Sequence, residues 1–313
     1  MSARDWSPSR DWSPSRARCV LNARITGAFV QDEAKAYRAD FASVICLDRV
    51  CDDLVDDLFR RVGARESDAS DDVPSARLWN DDFADHDGLN VERTHGLRDF
   101  ALVEFASEAR EGVGAIGEVL RRVRATYPEC VVDVTRTDMF RQVDDERTGG
   151  ECDEATFAHV CANAARVGDR FSYHRDVDAR GEEFLGGALA EYGRFSSNRD
   201  RDKPRFVTIV VYVNPSWAID DEGETVFVDE DTGVGVTVVP RPGRVVLMDA
   251  DVFHSLKPPR RRVRYSLVIH TLFTARERGA RVELARPEWG APAALGSAAR
   301  LQELVRAAAR VRT

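Results

Sequence analysis

The sequence predicts an α+β protein in which a β sandwich or barrel follows a helical N-terminal region. From Cys130 to Phe273, short strand-like runs alternate with Gly/Pro turns at near-regular spacing, a pattern typical of all-β folds. Upstream, apolar residues recur at helical spacing between Asp99 and Tyr127. The chain has no Gly-rich phosphate loop and no Gly-x-Ser-x-Gly elbow, so a parallel nucleotide-binding sheet is not indicated.

Composition narrows the class of protein further. The 313 residues are 43% hydrophobic, enough for a sizeable core, and 45 basic against 54 acidic residues give a net charge of −9. This balance disfavours nucleic acid and anionic membranes as partners. The six cysteines form no Cys-x-x-Cys, so we expect reduced thiols in the cytoplasm or nucleus, with organelle targeting left open. The sequence gives no indication of an oligomeric state.

The N-terminus is a tandem repeat. Residues 4–15 read Arg-Asp-Trp-Ser-Pro-Ser twice, without apolar periodicity beyond the two tryptophans. We therefore predict a disordered tail over residues 1–20. The tail is either a phosphorylation or docking segment, through Ser7-Pro8 and Ser13-Pro14, or a dispensable extension.

Residues 21–130 are predicted to form an α/β support region. A strand is expected over residues 41–47 and a helix from Asp52/Asp53 to Gly63. A mostly irregular stretch, 66–99, then leads into one long helix or two shorter ones that end before Pro128 and brace a sheet.

Residues 131–274 are predicted to be the β core. A short helix is expected between Asp153 and Gly168, and the loop 178–203 is either a lid over substrate or a solvated insertion. The helical tail 275–313 is predicted to end in an amphipathic helix around Leu301, which either packs on the core or binds a partner. The predicted strands cover residues 131–143, 171–176, 206–213, 224–228, 234–239, 244–248 and 263–273.

His174 and Asp176 stand two residues apart in one of these strands, so their side chains point the same way. Alone, such a pair is as common as chance predicts and is more often a structural hydrogen bond. Downstream, His254 and His270 could each complete a metal site. Two imidazole nitrogens and one carboxylate leave three adjacent positions of an octahedral ion open, as in non-haem iron(II) oxygenases.

Arg264 and Ser266 alternate in the same way at the head of the last strand. A guanidinium and a hydroxyl on one side of a strand can bind a carboxylate through a planar fork and one further donor. The alternative is that Arg264 is a surface charge in the basic run 260–264.

The stretch from Gly168 to Phe273 resembles the 2-oxoglutarate and iron(II)-dependent oxygenases, in their prolyl 4-hydroxylase-like branch. The resemblance implies a double-stranded β-helix core of the jelly-roll or cupin-like type, with His174, Asp176 and His254 as iron ligands. It also implies that Arg264 pairs with the distal carboxylate of 2-oxoglutarate, while Thr208, Tyr212 and Ser266 lend hydroxyl groups. His270 would line the pocket or act as a back-up ligand. The matching pieces are Tyr173-His174-Arg175-Asp176, residues 207–214, residues 223–227, residues 242–248 leading into His254, and Arg264-Tyr265-Ser266-Leu267.

The resemblance further implies a hydroxylase that uses Fe(II), 2-oxoglutarate and O2, with ascorbate as an optional reductant, and releases succinate and CO2. The expected substrate is a prolyl or other protein residue or a small molecule; a nucleic-acid base is disfavoured by the charge. Asn163 or Ala164 stands where the branch often has a tyrosine, which puts proline as the target in doubt. The alternative is a non-catalytic, cupin-like metal-binding or ligand-binding module.

Overall fold

The computed structural model describes residues 12–26, 30–31, 37–38, 41–62, 79–80, 95–97, 99–135, 160–169, 171–176, 204–230 and 232–296. Its helices are α1 (Val55–Arg61), α2 (Asp99–Glu111) and α3 (Gly114–Thr126). Its strands are β1 (Arg18–Thr26), β2 (Val30–Gln31), β3 (Tyr37–Arg38), β4 (Phe41–Asp48), β5 (Trp79–Asn80), β6 (His95–Leu97), β7 (Cys130–Val134), β8 (Val160–Ala165), β9 (Phe171–His174), β10 (Arg205–Tyr212), β11 (Thr225–Val228), β12 (Gly235–Val238), β13 (Val245–Asp249), β14 (His254–Leu256), β15 (Arg264–Ala275) and β16 (Ala293–Leu295).

Two sheets carry the architecture. The major sheet has the order β16-β1-β4-β13-β10-β15-β8-β6-β5, with β7 also paired to β15. The minor sheet has the order β12-β11-β14-β9. Because non-consecutive strands are neighbours in both sheets, each sheet is completed by segments distant in the chain. This is the double-stranded β-helix core that the sequence predicts, in an α+β chain.

The alternation of side chains along the central strands explains the layers. On β10, Ile209 and Val211 point to one face of the major sheet, while Val210 and Tyr212 point to the other. The second face packs against Phe227 and Val238 of the minor sheet, which closes an inner cluster. Both faces of the major sheet are therefore buried, which explains the long apolar runs in its central strands.

Helices cover the outer face of the major sheet. Ile116 and Val119 of α3 are fully buried and pack in the same cluster as Ile209 and Leu267. Between α2 and α3 the chain turns at Gly112 and Gly114, which have φ of 70° and 64°. A Cβ on Gly114 would lie 2.1 Å from the Glu108 carboxylate carbon, so the turn requires glycine there. The expected helical brace thus forms in two pieces.

Two predictions about the N-terminal tail and the bounds of the core need correction. Residues 12–20, expected in the disordered tail, lead into β1, and Trp12 among them is buried, donates to the Arg49 carbonyl at 3.2 Å and faces the Arg122 guanidinium. The core is not confined to residues 131–274, because β1 and β4 belong to the major sheet. The described part of the C-terminal tail contains β16, which pairs with β1, and the helix predicted around Leu301 lies beyond it.

The predicted short helix before Gly168 is also wrong where the structure describes it, because residues 160–165 form β8. The loop 178–203, the strand residues 136–143 and the terminal helix around Leu301 lie outside the described residues. Within those described, no helix is long and apolar enough to cross a membrane.

Candidate metal centre

Two strands of the minor sheet bring His174 and His254 together. The two residues are direct partners in the antiparallel pair of β9 and β14, and their ring centroids are 4.3 Å apart. Asp176 follows two residues after the end of β9. Its Oδ1 lies 3.6 Å from His174 Nε2 and 3.7 Å from His254 Nε2. The three ligand atoms all lie within 4.8 Å of one another, an arrangement that can hold one metal ion.

The backbone fixes which nitrogen each imidazole presents. His174 Nδ1 lies 2.8 Å from the Ser172 carbonyl, and His254 Nδ1 lies 3.0 Å from the Val252 carbonyl. Because a carbonyl only accepts, each Nδ1 carries the proton and each Nε2 keeps its lone pair. Both lone pairs are therefore available on the side of Asp176, as metal ligation requires.

The electrostatics also suit a cation. Burial, with a contribution from His174, lowers the pKa of His254 to about 4, so this ring is neutral at neutral pH. Burial works to raise the pKa of Asp176, but the surrounding histidines, His254 first, outweigh it and hold that pKa below its ordinary value. At neutral pH, the His254 imidazole and the Asp176 carboxylate are thus in the protonation states that metal ligation requires.

Thr208 of the major sheet contacts Asp176, and His270 contacts Thr208. Thr208 donates its hydroxyl to Asp176 Oδ2 at 2.5 Å, and the same hydroxyl oxygen lies 3.3 Å from His270 Nδ1. Thr208 and His270 are direct partners across β10 and β15. The Asp176 carboxylate therefore lies between the two histidines of the minor sheet and Thr208 of the major sheet.

Arg264 lies on the same face of the major sheet as Thr208, next to Tyr212. Thr208 and Tyr212 are four residues apart on β10, so the strand rise separates them by about 13 Å. Its guanidinium donates to Thr225 Oγ1 at 2.9 Å and to Ser266 Oγ at 3.2 Å, and its Cζ lies 5.0 Å from the centroid of the Tyr212 ring. The Tyr212 and Thr225 hydroxyls are 2.7 Å apart. One cation is thus surrounded by three hydroxyl groups.

The charge of Arg264 has no counter-ion in the part of the chain that the structure describes. The side chain is buried, no described carboxylate pairs with it, and its Nε makes no hydrogen bond to a described residue. Burial lowers the pKa of the guanidinium because the charged form loses its hydration. An uncompensated buried cation is costly, so this position calls for an anion.

The turn before β11 packs against the stem of Arg264. Gly223 has φ of 74°, and a Cβ there would lie 3.1 Å from the Trp217 ring and 3.4 Å from Arg264 Cδ. Glu222, just before it, also has a positive φ of 57°. The backbone here is shaped closely around the arginine.

One protein family matches the part of the chain that contains these site residues. Residues 160–271 match the family described as the 2OG-Fe(II) oxygenase superfamily. This match covers about a third of the chain and is the part similar to that superfamily. The matched residues begin at β8 and run into β15, so they contain His174, Asp176, His254 and Arg264.

Several solved structures are similar to part of the chain. A Pseudomonas putida prolyl-4-hydroxylase is 24% identical over 37% of this chain and 48% of its own, with a TM-score of 0.24. A Trichoplax adhaerens prolyl hydroxylase, in complex with a hypoxia inducible factor peptide fragment, is 18% identical over 51% of this chain and 53% of its own, with a TM-score of 0.27. The chain spans about half the length of these two structures. No curated protein matches the chain.

The side chains fit Fe(II) and 2-oxoglutarate, the two groups that the family name implies. Two imidazole nitrogens and one carboxylate oxygen are the donor set that suits non-haem Fe(II) with open positions. The buried Arg264, without a described counter-ion, fits one carboxylate of 2-oxoglutarate, and the hydroxyls of Thr225, Ser266 and Tyr212 add polar partners.

The structure places the predicted site residues in two groups. His174, Asp176 and His254 meet at one end of the inner face, and Arg264, Ser266 and Tyr212 meet at the other. Thr208, expected to serve the co-substrate, donates its hydroxyl to Asp176 instead. Sequence reasoning missed Thr225, which contacts both Arg264 and Tyr212. The only signal for it was its position at the start of a strand in the matching piece 223–227.

Proposed function

We propose that this protein is a 2-oxoglutarate- and Fe(II)-dependent dioxygenase that hydroxylates a protein residue or a small molecule. The proposal is carried by one observation: Arg264, a buried cation without a described counter-ion, lies on the same face of the major sheet as Thr208, whose hydroxyl donates to Asp176 of the His-Asp-His cluster. A dicarboxylate co-substrate accounts for both features, because one end can bind the metal and the other end can neutralise the arginine.

The chemistry supplied by bound Fe(II), 2-oxoglutarate and O2 is the hydroxylation of a C–H bond coupled to formation of succinate and CO2. The chain itself binds and orients. His174 Nε2, His254 Nε2 and Asp176 Oδ1 would hold the metal, and Arg264 would hold the distal carboxylate through its guanidinium fork. The inner cluster of Val210, Met248 and Phe227 keeps water from the site.

For the substrate we infer a peptidyl group first. The pieces around His174, Thr208 and Arg264 resemble the prolyl 4-hydroxylase-like branch, and the two solved structures named above carry prolyl hydroxylase in their titles. Prolyl peptides are therefore the first substrates to test, followed by free small molecules. We also propose a reducing compartment, cytoplasm or nucleus, because the five described cysteines are all free thiols.

The test is succinate formation from 2-oxoglutarate by purified protein with Fe(II), O2 and ascorbate, with and without prolyl peptides. We expect succinate from the wild-type chain, none from His174→Ala, and normal turnover from Tyr173→Phe, a matched change at the exposed neighbouring position. A wild-type protein that binds the metal but forms no succinate with any substrate would identify a non-catalytic, cupin-like binding module instead.

A further inference from the structure

The two oxygens of Asp176 have different partners. Oδ1 lies between the two imidazoles, at 3.6 Å from His174 Nε2 and 3.7 Å from His254 Nε2. Oδ2 points to the major sheet and accepts the Thr208 hydroxyl at 2.5 Å. One oxygen thus faces the position of a metal, while the other is engaged by a buried side chain of a different sheet.

Proton counting fixes the direction of the hydrogen bonds behind Asp176. A hydroxyl has one hydrogen, and an ionised carboxylate only accepts, so Thr208 must give its hydrogen to Oδ2. The Thr208 oxygen then accepts from His270, whose Nδ1 lies 3.3 Å away and must carry the proton. The chain of donors runs from His270 to Thr208 to Asp176.

The sheet makes this chain rigid. Thr208 and His270 face each other in the register of β10 and β15, and the β10 residues around Thr208 are buried. Thr208 itself has no exposed surface. Neither side chain is on a loop, so the donors remain in place whether or not a metal is bound.

We propose that Thr208 and His270 are positioning residues that restrict Asp176 to one metal-binding oxygen. This inference rests on the metal site of the proposed function. A carboxylate that is free to rotate can bind through both oxygens and fill a second coordination position. With Oδ2 retained by Thr208, three positions stay open for a chelating 2-oxo acid and dioxygen. His270 acts through Thr208, by keeping its hydroxyl directed at Asp176.

The experiment measures the affinity of the chain for Co(II), followed by calorimetry and by visible absorption, which reports the coordination. Thr208→Val is expected to weaken Co(II) binding by about 10- to 100-fold and to change the spectrum, whereas Thr208→Ser should bind as the wild type does. His270→Phe should also weaken binding. His270→Asn, which offers an amide N–H near the position of Nδ1, should restore it.

Two controls separate positioning from folding. Thr271→Val removes another buried threonine hydroxyl, which donates to the Val207 carbonyl at 2.6 Å. It should lower stability as Thr208→Val does, without changing Co(II) affinity. The double variant Thr208→Val/His270→Phe should bind Co(II) no more weakly than Thr208→Val alone, because His270 acts through the hydroxyl.

Unchanged Co(II) affinity in Thr208→Val, or an additive loss in the double variant, would overturn the inference. Either result in a protein that still forms succinate leaves the proposed function standing. Conversely, the variants could change Co(II) affinity as predicted while the wild-type protein forms no succinate. That result would support the positioning role and remove the proposed function.

Discussion

Arg205 and Asp249 form a two-pronged ion pair between β10 and β13, fully enclosed by protein. Nε lies 2.6 Å from Oδ1 and Nη2 lies 2.7 Å from Oδ2. The same guanidinium donates to the Val282 carbonyl at 2.7 Å and to Ser43 Oγ at 2.9 Å. This one pair therefore joins the N-terminal strand β4, the centre of the major sheet and the C-terminal segment.

Loss of this pair is predicted to destabilise the fold strongly. Asp249→Ala leaves the Arg205 charge buried without its carboxylate, and the expected loss in the free energy of unfolding is about 3–5 kcal/mol. Arg24→Ala removes the exposed pair with Glu283 and should cost about 1 kcal/mol or less. Urea unfolding of the two variants measures both values; similar losses would show that burial of the Arg205 pair is not what stabilises it.

Thr225 is predicted to be needed for co-substrate binding. Thr225→Val removes the hydroxyl that contacts both Arg264 and Tyr212, so 2-oxoglutarate affinity should fall by about tenfold or more, with metal affinity unchanged. Thr237→Val, at an exposed position of the neighbouring strand β12, serves as the control. Calorimetric titration of the metal-loaded protein decides; equal 2-oxoglutarate affinities in the two variants would refute the role.

Acid is predicted to destabilise the metal-free protein in a defined window. The pKa of His254 is about 4 in the folded chain against an ordinary value of 6.5, so between these values the unfolded state binds more protons. Stability therefore rises with pH through this window and is lost as the pH falls. Asp176, whose folded pKa is lowered, adds a loss in the same direction at still lower pH.

The measurement is urea unfolding of the metal-free protein at several pH values between 4 and 6.5. His254→Gln cannot take up the proton, so its stability should depend less steeply on pH, by up to about one proton per molecule. An identical slope in the variant and the wild type would mean that His254 does not titrate in this window.

Phe253 is predicted to hold the two histidine-bearing strands together. Its ring stacks on Tyr173 at 5.2 Å and faces the Arg175 guanidinium at 5.1 Å, on the strands that carry His174 and His254. Phe253→Ala should cost about 1–3 kcal/mol of stability and weaken Co(II) binding, while Phe253→Tyr preserves both. Thermal unfolding and metal titration test this, and undiminished metal affinity in Phe253→Ala would count against it.

Local patterns in the sequence predicted most of the β core. The alternating and continuous apolar runs of β10, β13 and β15 reflect burial of both faces of the major sheet, so their strands could be placed within a residue or two. His174 and Asp176 could be paired because strand geometry alone aligns them, and the spacing to His254 completed the set that the structure brings together.

Features that depend on distant partners could not be predicted. The alanine-rich β8 has helix-forming residues, but pairing with β15 makes it a strand. Thr225 and Arg264 are 39 residues apart and lie on different sheets, so nothing local links them. Trp12 lies in a polar repeat, and only its contact with Arg122 of α3 explains why it is buried.

Because β4 pairs with β13, the unit that folds is larger than residues 160–271, the segment that matches the family. A fragment limited to residues 160–271 would lack β1, β4 and β7, so β13 would present an unpaired edge next to the apolar residues that Val44 and Ile45 now cover. Exposed edges of this kind template aggregation. Shortened versions of this protein should therefore keep the strands that begin at Arg18, because a fragment limited to residues 160–271 would be expected to precipitate before its activity could be assayed.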